Sequence, residues 1–211
     1  MKTYKKLLII TTIVTLIPMF IGFALWYQLP DQIATSFGLD NMVNGWSSKI
    51  FTVVGLPLLL SGIHLLCAFA TASDPKFKNM EEKPYRFVLW ICPGCSAFSA
   101  IIIYGYALGI TLNIGSITNL LLGSLFLGLG CYMPRIKQNY TVGIKLPWTL
   151  EDEENWNQTH RFAGKVWIIG GALLLMNMVF CMEKVVITII ILMVVIPSIY
   201  SYLFYKNNKK E

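Results

Sequence analysis

Charge is what this chain has least of. Asp, Glu, Lys and Arg make up 13% of its 211 residues, about half the share of an average soluble domain. Histidine is scarcer still, with only His64 and His160. Neither lies in a zinc-ligand spacing, and the HExxH arrangement is absent, so no metal, cofactor or catalytic site is expected and the chain does not read as an enzyme. The five cysteines fall in or beside apolar runs rather than in long polar loops, which excludes a disulfide framework. Cys92-Pro93-Gly94-Cys95 has the spacing of a redox pair, but no base stands nearby to form a thiolate. Packing by small residues is the plainer reading.

What the chain has in excess is apolar length. Hydrophobic residues reach 55% and the mean hydropathy is +0.61, more apolar surface than one globular core of this size can hide. Six runs, 7–29, 50–71, 87–109, 117–133, 166–182 and 185–205, contain no Asp, Glu, Lys or Arg. A spanning helix needs about 20 such residues, and a charge at its centre costs about 2.5–3.5 kcal/mol on the insertion scale. The expected fold is therefore all-α, a polytopic membrane bundle of six transmembrane helices in a lipid bilayer. The first run is too long for the apolar region of a signal peptide, and no small-residue cleavage site closes it.

The basic residues orient the bundle. Of the 17 Lys and Arg, all but Lys49 and Lys184 fall in the N-terminus, the second-to-third and fourth-to-fifth connections, or the tail. The positive-inside rule assigns that side, and both termini, to the cytoplasm. The net charge of +6 is thus explained by topology; no basic stripe marks a surface for nucleic acid. Trp26, Tyr27 and Trp46 then belong to an outer aromatic belt, and Trp148, Trp156, Tyr202 and Tyr205 to an inner one. Pro18, Pro57, Pro93 and Pro197 interrupt the runs, where neighbouring helices must satisfy the freed carbonyls. His64 and Asn177 are the conspicuous polar side chains within the runs, suited equally to function and to interhelical hydrogen bonding. The chain divides into residues 1–72, with the outer connection at 30–49; 73–133; a cytoplasmic segment at 134–165; and 166–211.

Two polar segments carry the remaining information. In the outer connection, Pro30 stops the first helix, Gly38 and Gly45 permit turns, and Trp46 anchors a short ordered loop. In the cytoplasmic segment, Gly143 and Pro147 punctuate the chain, and Thr149 with Asp152 fits a capping pattern. Glu151, Asp152 and Glu153 occupy a first turn favoured by the helix dipole. Trp156, His160, Ala163 and Trp167 then recur on one helical stripe. An amphipathic helix is expected to run into the fifth span, its stripe either packed on the bundle or docked to a soluble partner.

Together these segments resemble the SdpI family, bacterial membrane proteins that confer immunity to a secreted killing toxin. The cytoplasmic match is carried by Gly143, Pro147-Trp148-Thr149-Leu150, Trp156, Thr159-His160 and Gly164, with Lys145, Glu153, Glu154 and Arg161 beside them. The outer stretch resembles the domain of unknown function that commonly precedes that signature, through Leu29-Pro30, Ile33, Gly38, Gly45-Trp46 and Lys49, with Asp40 in the same loop. Lys145-Leu146 stands where the family often has Arg-Thr, Ala34 where it often has Pro, and Ser36 where it often has His. The resemblance implies two partners: a secreted peptide toxin at the outer loop, and a cytoplasmic repressor drawn to the membrane. A transporter or a membrane-stress receptor without toxin specificity is the competing reading. Proton-coupled transport usually needs a carboxylate in the spans, and these runs have none.

Overall fold

The computed structural model describes residues 2–38, 42–77 and 81–208. Its order is α1 (Lys2–Ala24), β1 (Gln32–Phe37), β2 (Val43–Ser48), a π-helical turn (Phe51–Gly55), α2 (Leu56–Ala72), α3 (Glu82–Ala107), α4 (Ile114–Tyr132), a 3-10 turn (Met133–Arg135), α5 (Pro147–Glu151), α6 (Glu153–Asn177) and α7 (Glu183–Asn208). Helix dominates because a long apolar run in hydrocarbon must satisfy every backbone group within itself. The chain separates into two compact units, one of residues 1–69 and 88–121 and the other of residues 70–87 and 122–211.

Five of the described helices are long and apolar enough to cross a membrane: Tyr4–Ala24, Phe51–Ala72, Glu82–Ala107, Ile114–Arg135 and Glu183–Asn208. The expected run 166–182 is not among them. It lies in α6, whose N-terminal half carries Glu153, Glu154, Arg161 and Lys165 and which ends at Asn177. The apolar half that remains is about 18 Å long at 1.5 Å per residue, short of a ~30 Å hydrocarbon core.

In the first unit, α1 is tied to α2 by the Thr11 hydroxyl at 2.9 Å from His64 Nε2. It is tied to α3 by Ser96, which donates to the Thr15 carbonyl at 2.9 Å, and by Tyr104, which donates to the Pro18 carbonyl at 3.0 Å. Leu29, Ile33, Val53, Ile103 and Tyr104 form the core. The connection expected as a loop is an antiparallel hairpin, pairing Gln32 with Ser48 and Phe37 with Val43. Register shifts either side of Ser36 break the alternation that would have revealed it, and the Gly, Asn and Ser of β2 are poor strand formers.

In the second unit, α6 lies against both α4 and α7. Gly130 and Gly164 approach so closely that a Cβ on either would come within 3.0 Å of the other's carbonyl oxygen, and Gly123 and Gly171 repeat the arrangement. On the other side, Phe162 stacks on Tyr200 at 4.3 Å, and Trp167 donates its indole N–H to the Met193 carbonyl at 2.9 Å. Met193 is four residues before Pro197, so this carbonyl is the one the proline deprives of its helical donor. A neighbouring helix supplies the replacement, as the sequence predicts.

Candidate functional site

The densest concentration of sequence-predicted residues lies at the start of α6. Asp152 is in extended conformation and accepts a hydrogen bond from the Glu154 N–H at 2.8 Å. It is therefore the N-cap, and the expectation that Thr149 opens this helix is corrected. Thr149 instead is the third residue of α5, which Pro147 opens, and caps the start of that helix. Its hydroxyl accepts the Leu146 N–H at 2.9 Å while facing the Ile144 carbonyl at 2.9 Å. The short α5 and the long α6 replace one helix because the extended Asp152 breaks the hydrogen-bond ladder between them.

From that cap, one face of α6 turns inward. Trp156, Thr159, His160, Ala163 and Gly164 are all buried, so the stripe packs within its own unit and presents nothing to a soluble partner. This also removes Trp156 from the expected aromatic belt. Its indole N–H donates to the Ile136 carbonyl at 2.7 Å, and Met133, Ile136 and Ala163 pack around it. His160 stacks on Trp156 with ring centroids 4.0 Å apart. Its Nε2 accepts the Ile144 N–H at 3.0 Å, and its Nδ1 lies 2.8 Å from the Trp156 carbonyl. An acceptor is required at the first atom and a donor at the second, which selects the neutral Nδ1–H tautomer. Burial pulls the imidazole down to about 4, against a smaller upward pull from the Trp156 carbonyl.

Gly143 explains why the loop can close over this pair. Its φ is +129°, and a Cβ there would sit 2.4 Å from His160 Nε2 and 2.9 Å from the Trp156 ring. No other residue combines that backbone with that proximity.

A second polar cluster holds α5 and α6 to α7. Trp148 Nε1 donates to the Ser201 hydroxyl at 2.9 Å, and Ser201 donates to Asn155 Oδ1 at 2.8 Å. Thr159 donates to the same oxygen at 2.9 Å, and Asn155 returns a bond to the Ser201 carbonyl at 3.1 Å. The Trp148 ring rests between Tyr202 and Tyr205. The loop before α5 is pinned similarly. Gln138 donates to the Thr149 and Leu150 carbonyls and accepts from Lys76 Nζ, and Asp74 accepts the Tyr140 N–H at 2.7 Å.

Residues 135–202 match the SdpI/YfhL protein family, and residues 13–60 match a Domain of unknown function (DUF1648). The chain carries the SdpI/YfhL segment. Along its length it is similar to the Immunity protein SdpI of Bacillus subtilis (strain 168), 26% identical over 206 residues, covering 94% of this chain and 96% of that one. No solved structure matches it. Its membrane-length helices and this similarity make it a multipass membrane protein.

Within the SdpI/YfhL segment, the signature residues are mostly those that lock the α4–α6 connection, Gly143, Thr149, Trp156 and His160, while Trp148 and Thr159 belong to the cluster that holds α7. Gly164 serves the contact with α4. Pro147, Lys145, Glu153, Glu154 and Arg161 are exposed, with Lys145 Nζ 3.3 Å from the Thr141 carbonyl. Asn155, Ser201, Asp74 and Gln138 belong to the same networks and went unrecognised in the sequence. Asn155 was legible in principle, four residues before Thr159, but Ser201 is hidden in an apolar run.

In the DUF1648 region, Ile33 is fully buried, Pro30 and Trp46 are exposed, and Gly38 and Gly45 are half-buried. Lys49 closes the hairpin base by pairing with Asp31 at 3.1 Å and lying 5.4 Å over the Trp26 ring. Asp40 lies outside the described residues. His64 is paired with Thr11, as above. Asn177 clasps the turn between α6 and α7, accepting the Met182 N–H and donating to the Met182 carbonyl at 3.2 Å. Both intramembrane candidates therefore have structural partners. Among the described residues no three His, Cys, Asp or Glu side chains gather as a metal site would require.

Proposed function

We propose that this chain is an immunity protein of the bacterial cytoplasmic membrane, protecting its cell from a secreted antimicrobial peptide by binding rather than catalysis. The observation that carries this reading is the similarity to Immunity protein SdpI across 94% of the chain. Its test is survival. Expressed in a strain sensitive to candidate secreted peptides, the chain should raise the lethal concentration of at least one of them. Trp46→Ala removes a large exposed ring from the hairpin and should lower that protection severalfold, while the protein still reaches the membrane. Full protection by this variant would take the hairpin out of the mechanism.

In this reading six helices span, with both termini in the cytoplasm. The short apolar half of α6 crosses because it is packed between α4 and α7, where glycine contacts and protein partners replace lipid. With the native cysteines replaced, an impermeant thiol reagent on intact cells should label Ser36→Cys in the hairpin and spare Asn157→Cys on the exposed face of α6. Labelling of Asn157→Cys alone would invert the topology.

A second role, recruiting a cytoplasmic repressor, is favoured by one feature. With the aromatic stripe buried, the outward surface at the start of α6 is the acidic patch of Glu151, Glu153 and Glu154, all exposed. Anionic lipid repels such a patch and a basic DNA-binding protein is attracted to it. Reversing all three to Lys should leave membrane insertion and peptide resistance intact and abolish co-fractionation of the regulator with membranes. Unchanged recruitment would reduce the patch to a solvated helix start.

A further inference from the structure

Beneath the hairpin, within the first unit, is a cavity of about 180 Å³. Thr35 of β1 and Thr52 of the π-helical turn line it, together with Pro18 of α1, Pro57 of α2, and Ser99 and Tyr104 of α3. No charged side chain reaches it. Its hydroxyls are largely spoken for. Tyr104 donates to the Pro18 carbonyl, Thr52 to the Ser48 carbonyl at 3.0 Å, and Thr35 pairs with Ser47 at 2.9 Å. A charged group entering the cavity would leave water without meeting an opposite charge, at a cost that disfavours it. An apolar group would not. A cavity of roughly 150 Å³ lined by apolar side chains takes up benzene, so this one suits a single aromatic or branched aliphatic side chain.

The cavity does not stand alone. An apolar groove of about 410 Å³ runs along α1 and α3 and shares Pro18, Ala100 and Tyr104 with it. Ile17, Ile21 and Ile101 are exposed along that groove. An occupant matching both features is a chain with an apolar flank and at least one bulky side branch. A lipid tail supplies the flank but not the branch, and one wall of the cavity is the hairpin, which lies outside the long apolar helices.

We propose that this cavity is the side-chain pocket for the secreted peptide: one aromatic or branched aliphatic residue enters between the hairpin and the helices, and the peptide's apolar flank lies in the α1–α3 groove. The proposal rests on the immunity reading and adds the place and chemistry of recognition. Pro18 and Pro57 then have a role beyond packing, since their rings form part of the pocket wall.

Two measurements test it, both on the full chain and with a synthetic copy of a peptide that the wild type resists. Ser99→Phe places a ring in the cavity from an exposed position of α3, and Leu65→Phe adds the same ring at an exposed position of α2 that lines neither the cavity nor the groove. The first should lower the tolerated peptide concentration about tenfold, the scale of losing one buried anchor, and the second should change it little. In nanodiscs, with the five native cysteines replaced by Ala, benzyl methanethiosulfonate should modify Ser99→Cys, and saturating peptide should slow that reaction about tenfold, as an occupied pocket requires. This second measurement decides the matter if Ser99→Phe fails to accumulate. If Ser99→Phe accumulates and protects fully, or if the peptide leaves the modification rate unchanged while protection holds, the pocket is wrong and the immunity reading stands. A rate that follows the acyl chains of the nanodisc and ignores the peptide makes this a lipid site and overturns the proposal. If the wild type resists no peptide, the immunity reading fails and the pocket proposal falls with it.

Discussion

Trp156→Ala is expected to cost about 3–5 kcal/mol of stability, the range for truncating a buried aromatic. The side chain is fully buried. Its loss opens a void among Met133, Ile136 and Ala163, removes the stacking partner of His160, and leaves the Ile136 carbonyl without the indole donor. Thermal unfolding in detergent and the steady-state membrane level should fall together. Trp156→Phe retains an aromatic ring but loses the donor, for which about 1–3 kcal/mol is the expected penalty, together with part of the indole's buried volume. Gly143→Ala attacks the same junction from the loop side, forcing a Cβ against His160 at a backbone conformation that side chains avoid. A Trp156→Ala protein as stable as the wild type would mean that this junction does not hold the unit together.

The second large effect is a pH dependence from His160. Its folded value of about 4 lies below the ordinary imidazole value near 6.5. Between those values the unfolded chain binds a proton that the folded chain refuses. The contribution of His160 is therefore complete above about pH 6.5, falls as the pH drops toward 4, and is exhausted below that. A depression of this size corresponds to ~3 kcal/mol. Geometry gives the same sign, since a proton on Nε2 would face the Ile144 N–H that it now accepts. Comparing unfolding of the wild type and His160→Gln at pH 7.5 and at pH 4.5 isolates the effect from the carboxylates, which both proteins share. The wild type should lose more stability over that interval. Equal losses would show that His160 is accessible and titrates normally.

Much of this was legible in the sequence, for a physical reason in each case. Uncharged apolar runs have few alternatives to spanning helices, so five of six were placed by composition alone. The fifth run, 166–182, was over-extended because residues 178–182 are as apolar as the helix before them, whereas α6 ends at Asn177, whose side chain clasps Met182. The Trp156 stripe was visible at helical spacing, but periodicity reports that a face is shared and not what covers it. The burial of that face takes the aromatic stripe out of any docking surface. The hairpin escaped notice because its bulges disrupt the alternation that marks a strand, and Asp74 and Gln138 because their partners are distant in sequence.

The glycine contacts between α4 and α6 have a mechanical consequence. Gly123 and Gly130 meet Gly171 and Gly164 at two points seven residues apart along each helix, about 10.5 Å at 1.5 Å per residue, with backbone against backbone. A slide of one residue would drive Leu127 or Ile168 into the opposing main chain, so this seam has a single register and cannot act as a ratchet. The α6–α7 seam is fastened near its middle by Trp167 on the Met193 carbonyl and at the start of α6 by Asn155 on Ser201. Within the second unit, α6 is thus held on both sides, and sliding either neighbour past it would first have to open a backbone-to-backbone contact or break a hydrogen bond that now has its partner.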